Sequence, residues 1–260
     1  MKDKIISIDA ELVDFLNEKV LEYNNPKFIE SDPIQIPHKF TVKEDIEIAG
    51  FLTATIAWGN RKMIIKNANR MMELMGHSPY DFIMSFEPQH LNKINAFVHR
   101  TFNTEDFIFF LHGLRNIYSK HEGMEAVFSK YVSNTSTQIA IHEFKKTFFS
   151  IEHPSRSQKH VSDPLKGSSA KRINMMLRWF CRNDNMGVDF GIWDSISPAI
   201  LSCPLDVHSG RVARDFGLLK RKQNDAKAVL ELDEILRKLD PIDPSKYDFA
   251  LFGLGVFEKF

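Results

Sequence analysis

Almost every patterned stretch of this 260-residue chain carries the period of a helix. Residues 9–23, DAELVDFLNEKVLEY, repeat apolar side chains at intervals of three and four, which lines them up on one helical face. TVKE at 41–44 pairs Thr41 with Glu44 as a capping box. It opens a helix running to about Trp58, apolar nearly all round and so expected to be buried. Asn60 is placed to cap RKMIIKNANRMMELMG, which stops at Gly76, and Thr104 to cap EDFIFFLHGLRNIYSKH. STQIAIHEFKKTFFS, SAKRINMMLRWFCR, VHSGRVARDFG, DAKAVLELDEILRKLD and PSKYDFALFGLGVF continue the same period. No stretch alternates as a strand does, and no internal repeat is present. The expected class is all-α.

Residues 151–167, IEHPSRSQKHVSDPLKG, interrupt the pattern with two prolines, several serines and a cluster of His, Lys and Arg. This break divides residues 1–260 into a single two-lobed domain. One helical lobe spans about 40–150, and the other combines 1–39 with 151–260. The formal net charge is zero, so only a local basic patch can point to nucleic acid. The two cysteines, Cys181 and Cys203, are too few for a disulfide framework or a four-thiolate cluster, and neither a metal nor a cofactor is expected. The N-terminus lacks the layout of a secretory signal. The most apolar window, IEIAGFLTATIAWG, is shorter than a membrane span needs. The expected location is cytoplasmic, away from any membrane.

Two stretches bear on chemistry. In LKGSSAKRINMMLRWFCR, 165–182, Ser168 or Ser169 is placed to cap a helix whose Ile173, Met176, Leu177 and Phe180 share a core face. Lys171, Arg178 and Arg182 fall on another side, the pattern of a solvated basic face. A Gly-Ser-Ser turn feeding a helix offers backbone N–H groups that suit a phosphate. In CPLDVHSGRVARDFGLL, 203–219, Asp206 stands where an N-cap belongs. Capping and chemistry are both open to it.

Taken together, KGSSAK and PLDVH, with Lys171 and Asp206 35 positions apart, resemble the helix-hairpin-helix (HhH-GPD) DNA glycosylase superfamily. There a Gly-rich hairpin ends in Lys, and Pro-x-Asp-x-His opens a later helix. The longer spacing is nearer to the archaeal 8-oxoguanine glycosylase branch. LRKLDPIDPSKYDFALFGLGV and RKQNDAKAVLEL also resemble an uncharacterised bacterial family placed near that branch, over most of residues 40–260. The resemblance implies a two-lobed HhH-GPD fold and a base-excision repair glycosylase and abasic-site (AP) lyase, both hydrolase and lyase. Its substrate would be an oxidised purine, 8-oxoguanine first, flipped from damaged duplex DNA. Lys171 would be the nucleophile and Asp206 the essential carboxylate.

On the same resemblance Asp248, Phe252, Met175, Trp58 and Asn60 are candidates for the base pocket. Gly167, Ser168, Ser169, Arg172, His208, Arg211, Arg156 and Lys159 are candidates for contacts to the DNA backbone. Other readings stand beside these. Asp248 can pair with Lys246 or an Arg, Phe252 and Trp58 can be core, and Asn60 can be a cap. The hairpin departs from the family's Gly-x-Gly, since Ser169 stands at its second glycine. RSQKH, 156–160, is then placed to supply replacement phosphate contacts. The degenerate hairpin and neutral charge also suit a non-catalytic nucleic-acid-binding module of the same fold. A protein–protein adaptor would leave Lys171 and Asp206 far apart.

Overall fold

The computed structural model describes residues 9–260; residues 1–8, the head of the second expected lobe, lie outside the described residues. Asp9 accepts a hydrogen bond from Glu11 N and starts α1 (Ala10–Tyr23). Asn25 caps the short α2 (Pro26–Ser31), and Asp32 then opens a 3-10 turn, Pro33–Gln35. The expected capping box at Thr41 does not form. Val42 is the N-cap of α3 (Lys43–Thr55) and offers no side-chain acceptor. From Ile46 to Thr55 α3 is buried on every side, as its mostly apolar content requires, and the buried Glu47 accepts from Tyr118 and Trp193. Asn60 caps α4 (Arg61–Leu74) through Met63 N.

Short helices α5 (Pro79–Ser85) and α6 (Pro88–Leu91) follow. The hairpin β1 (Val98–His99) with β2 (Phe102–Asn103) is antiparallel and two residues long, too short to show alternation in the sequence. Asn103, rather than Thr104, caps α7 (Thr104–Lys120), in a reciprocal box with Asp106. Then come α8 (Met124–Ser129), α9 (Gln138–Phe148), α10 (Lys171–Cys181), α11 (Val207–Asp215), α12 (Ala226–Leu239) and α13 (Tyr247–Val256). The described residues are thus helical apart from one small hairpin and loops, an all-α architecture. Among them no helix is long and apolar enough to cross a membrane.

Buried apolar side chains form two clusters. The larger runs from Phe28 through α3, α7 and α9 to α10 and Leu201. The smaller joins Leu16 and Val20 of α1 to residues from Cys203 to Leu254. Among the described residues the larger cluster thus carries past residue 151 to Leu201 and also takes in Phe249 of α13. The reason is α10: nearly all its residues from Ile173 to Cys181 are buried, and it packs against α3 as a central helix.

That packing depends on a glycine. A Cβ built on Gly50 of α3 would lie 2.5 Å from Cζ of Phe180, a fully buried ring of α10. Gly50→Ala is expected to destabilise the fold by about 1–3 kcal/mol through overpacking, seen as a lower urea midpoint with an unchanged denaturant slope.

Candidate active site

Three helix starts and one helix flank meet between the two clusters around a cavity of about 660 Å³. Lys171 and Met175 enter from the first turns of α10, and Asp206 and His208 from the start of α11. Arg61 comes from α4, and Asp248 and Phe252 from α13. Lys171 Nζ lies 3.8 Å from Oδ2 of Asp206, and each side chain keeps about a quarter of its surface exposed (24% and 23%). The separation expected of an adaptor is not found.

Asp206 is a cap and something more. Its Oδ1 accepts from His208 N at 2.8 Å and Ser209 N at 3.0 Å, while Ser209 Oγ accepts from Asp206 N. That occupies one carboxylate oxygen and orients the other, Oδ2, toward the lysine. The segment leading to it is anchored from below. Cys203 N donates to Oδ1 of the buried Asp233, whose pKa burial pushes up to about 7.

Lys171 is presented by an unusual turn. Gly167 has φ +89°, with open space where a Cβ would lie, so its backbone conformation rather than lack of room requires glycine. Its carbonyl accepts from Ala226 N at 3.1 Å, and Ser168 pairs with Asp225 in an isolated bridge. These contacts tie the turn to the start of α12. Neither Ser168 nor Ser169 caps α10. The cap position is Ala170, left-handed at φ +46° and without a side-chain acceptor, while Ser168 Oγ takes Ala170 N. The ε-amino group rests 3.7 Å from Met175 Sδ.

The pocket candidates sort clearly. Met175, Trp58, Phe252 and Asp248 all line the cavity. Phe252 is half-buried, edge-on to Phe28 at 6.2 Å and with the Arg61 guanidinium 5.3 Å from its ring centre. Asp248 has a partner already: Arg178 Nη1 donates to its Oδ2. Burial nevertheless pushes its pKa up to about 6. Asn60 is exposed, acts as a cap and does not line the cavity.

The expected solvated basic face does not exist. Arg178 and Arg182 are 3% and 2% exposed and bridge Asp189, and Arg182 also holds Asp184 and Asp243. An unpaired guanidinium could not be buried there. Arg172 turns inward as well. It donates to Thr55 O and lies 4.8 Å from the Trp58 ring centre, so it belongs to the cavity wall rather than to a DNA-contacting surface. Arg156 is likewise committed. It donates to Asp106 Oδ2 at 2.6 Å, Asn103 Oδ1 at 2.9 Å and Thr101 O at 2.8 Å. Within 151–167, expected to be loop, a 3-10 helix, Ser155–His160, braces α7, and His160 in it is buried. Arg211 donates to Gly255 O at 3.1 Å. Lys159, Lys166, Lys220, Lys222 and Lys227 are exposed and make no ion pair among the described residues.

Phe28 and Asp32 also line the cavity and are not marked by the sequence, where PKFIESDP reads only as a proline-containing connection. Their nearness to Lys171 arises from folding across more than 130 positions, and no local pattern encodes it.

Fold and site together define an all-α protein with a lysine–carboxylate pair at the mouth of an aromatic-lined cleft between two cores. The family model described as Protein of unknown function (DUF2400) matches residues 32–257, and the chain belongs to that family. No curated protein and no solved structure matches it.

Proposed function

We propose that this protein is a DNA glycosylase with AP lyase activity that excises an oxidised purine, 8-oxoguanine first, from damaged duplex DNA. The observation that carries the reading is the Lys171–Asp206 pair, 3.8 Å apart at the entrance to a cavity with Trp58 and Phe252 in its walls. Cleaving a glycosidic bond builds positive charge on the sugar, and the unoccupied Oδ2 of Asp206 is placed to stabilise it. Lys171 Nζ, once it has lost its proton, donates its electron pair to C1′ as the bond to the base breaks. The base leaves with the bonding pair and takes up a proton. The attached nitrogen gives up a proton and O4′ takes one as the C1′–O4′ bond opens to the Schiff base. Loss of a C2′ proton, with its electron pair forming the C2′–C3′ double bond, then expels the 3′-phosphate. Aromatic walls suit stacking on a flipped base, and the cavity volume lies in the range of small-molecule sites.

A second reading, a nucleic-acid-binding module of the same fold without excision, rests on the degenerate hairpin and the neutral net charge, while Arg172, Arg178 and Arg182 turn inward and Arg156 is taken up by Asp106. That leaves phosphate contact mainly to the exposed lysines.

Borohydride reduction during incubation with duplexes carrying 8-oxoguanine or an abasic site separates the two. The expected result is a covalent adduct on both duplexes from the wild type and none from Lys171→Gln. Absence of any adduct from wild-type protein that binds the duplex would favour the module.

A further inference from the structure

Asp32 is a buried carboxylate with few donors. It is 6% exposed, sits between α2 and the following 3-10 turn, and lines the cavity near Phe28 and Phe252. Among the described residues the one donor to its carboxylate is Ile34 N, 3.0 Å from Oδ1, and it makes no ion pair there. The other carboxylate of the cavity floor, Asp248, is held by Arg178. A carboxylate has about four acceptor positions, and leaving them unfilled away from water is costly. Asp32 lines the cavity, so the acceptor positions that Ile34 N leaves open can be filled by donors of a cavity occupant.

The charge of the walls narrows that occupant. Arg61, Lys171, Arg172 and Arg178 line the cavity against Asp32, Asp206 and Asp248, so a cationic ligand is opposed. A neutral ligand with two adjacent N–H donors fits. Among the bases, the guanine edge presents a ring N–H beside an exocyclic amine. Adenine and cytosine place a ring acceptor there, and thymine flanks its single N–H with two carbonyls. A carboxylate repels each of those arrangements.

We propose that Asp32 is the specificity-determining residue of this cavity. It accepts the ring N–H and neighbouring amine of a guanine-type edge, so that guanine-derived bases are selected. The inference rests on the base-excision reading and sharpens it from oxidised purines to those that keep this edge. Burial alone raises the Asp32 pKa, and the two donors of the bound base would hold its ionised form.

The test compares three duplexes, carrying 8-oxoguanine, 8-oxohypoxanthine (which lacks the amine) and an abasic site. Wild type is expected to release 8-oxoguanine about tenfold or more faster than 8-oxohypoxanthine. Asp32→Asn keeps Oδ1 for Ile34 N, and it should still form the adduct with the abasic site, which has no base to read. Its preference between the two bases should shrink to within about threefold, since an amide donates where the base also donates. A variant that retains the full preference, with normal abasic trapping, overturns the role of Asp32. Lack of abasic trapping by wild type overturns excision instead. In that case, titration of 8-oxoguanosine and 8-oxoinosine followed by tryptophan fluorescence decides the edge. Preference for 8-oxoguanosine that Asp32→Asn abolishes supports the assignment, and equal binding sinks it.

Discussion

Asp206→Asn is expected to slow release of 8-oxoguanine by about 10²–10³-fold while the folding free energy stays within about 0.5 kcal/mol of wild type. The asparagine keeps an oxygen for the amides of His208 and Ser209, and asparagine and aspartate are comparable caps. What it loses is the charge on Oδ2, the atom facing Lys171 at 3.8 Å. Asp206→Ala loses both roles and should add about 1 kcal/mol of destabilisation. Single-turnover base release and urea unfolding, run on both variants, separate the capping oxygen from the reacting one. Full activity in Asp206→Asn, from a wild type that excises, would reduce Asp206 to the start of a helix.

The largest stability effect is expected at Arg178. Arg178→Met should cost about 3–5 kcal/mol at neutral pH, because it removes the cation and leaves buried charge behind. Asp189 keeps Arg182 at 3.0 Å, so the main orphan is Asp248. The sign of the pH dependence follows. In the wild type the Asp248 carboxyl titrates at about 6 in the fold, above an unfolded aspartate near 4. Its contribution to stability is therefore fully present below about pH 4 and is lost as pH rises through about 6. Removing Arg178 takes away an interaction that lowers this pKa. The folded value rises further, and the deficit of the variant grows from pH 5 to pH 8. Denaturation midpoints of the two proteins across that interval measure it. A deficit that shrinks with rising pH would show that Asp248 is not the group left exposed to the loss.

The longer helices were legible because each depends on a period written into consecutive residues, whereas α2, α5, α6 and α8 are too short to show one. Starts of the longer ones slipped at Val42, where no side chain caps the helix, and at Asn103, where two neighbouring polar residues could each cap and folding decides between them. Lys171 and Asp206 stood out because two turn motifs at a fixed spacing resemble a known pair. Arg178 and Arg182 misled. A helical wheel shows that they share a side with Lys171, but not that Asp189, Asp243 and Asp248 arrive from elsewhere to cover that side. Arg156 is the same case, taken up by Asp106 some 50 positions earlier. Asp32 was invisible for the converse reason: its local surroundings describe only a turn, and what sets it apart is that no cation among the described residues pairs with it after folding.

Lys171 belongs to a helix packed in the larger hydrophobic cluster, and Asp206 begins the helix that packs in the smaller one. Neither half holds a reactive centre by itself. A growing polypeptide that has emerged only as far as residue 202 already carries the amine, with no acid opposite it. On the excision reading such an intermediate is harmless to DNA, and cutting begins only when the last helices dock and close the seam. On that reading the same seam ties reactivity to folding: Phe249 of α13 sits in the larger cluster, and Asp243 and Asp248 hold Arg182 and Arg178 across it, so a change that parts the halves separates amine from acid and opens a core together.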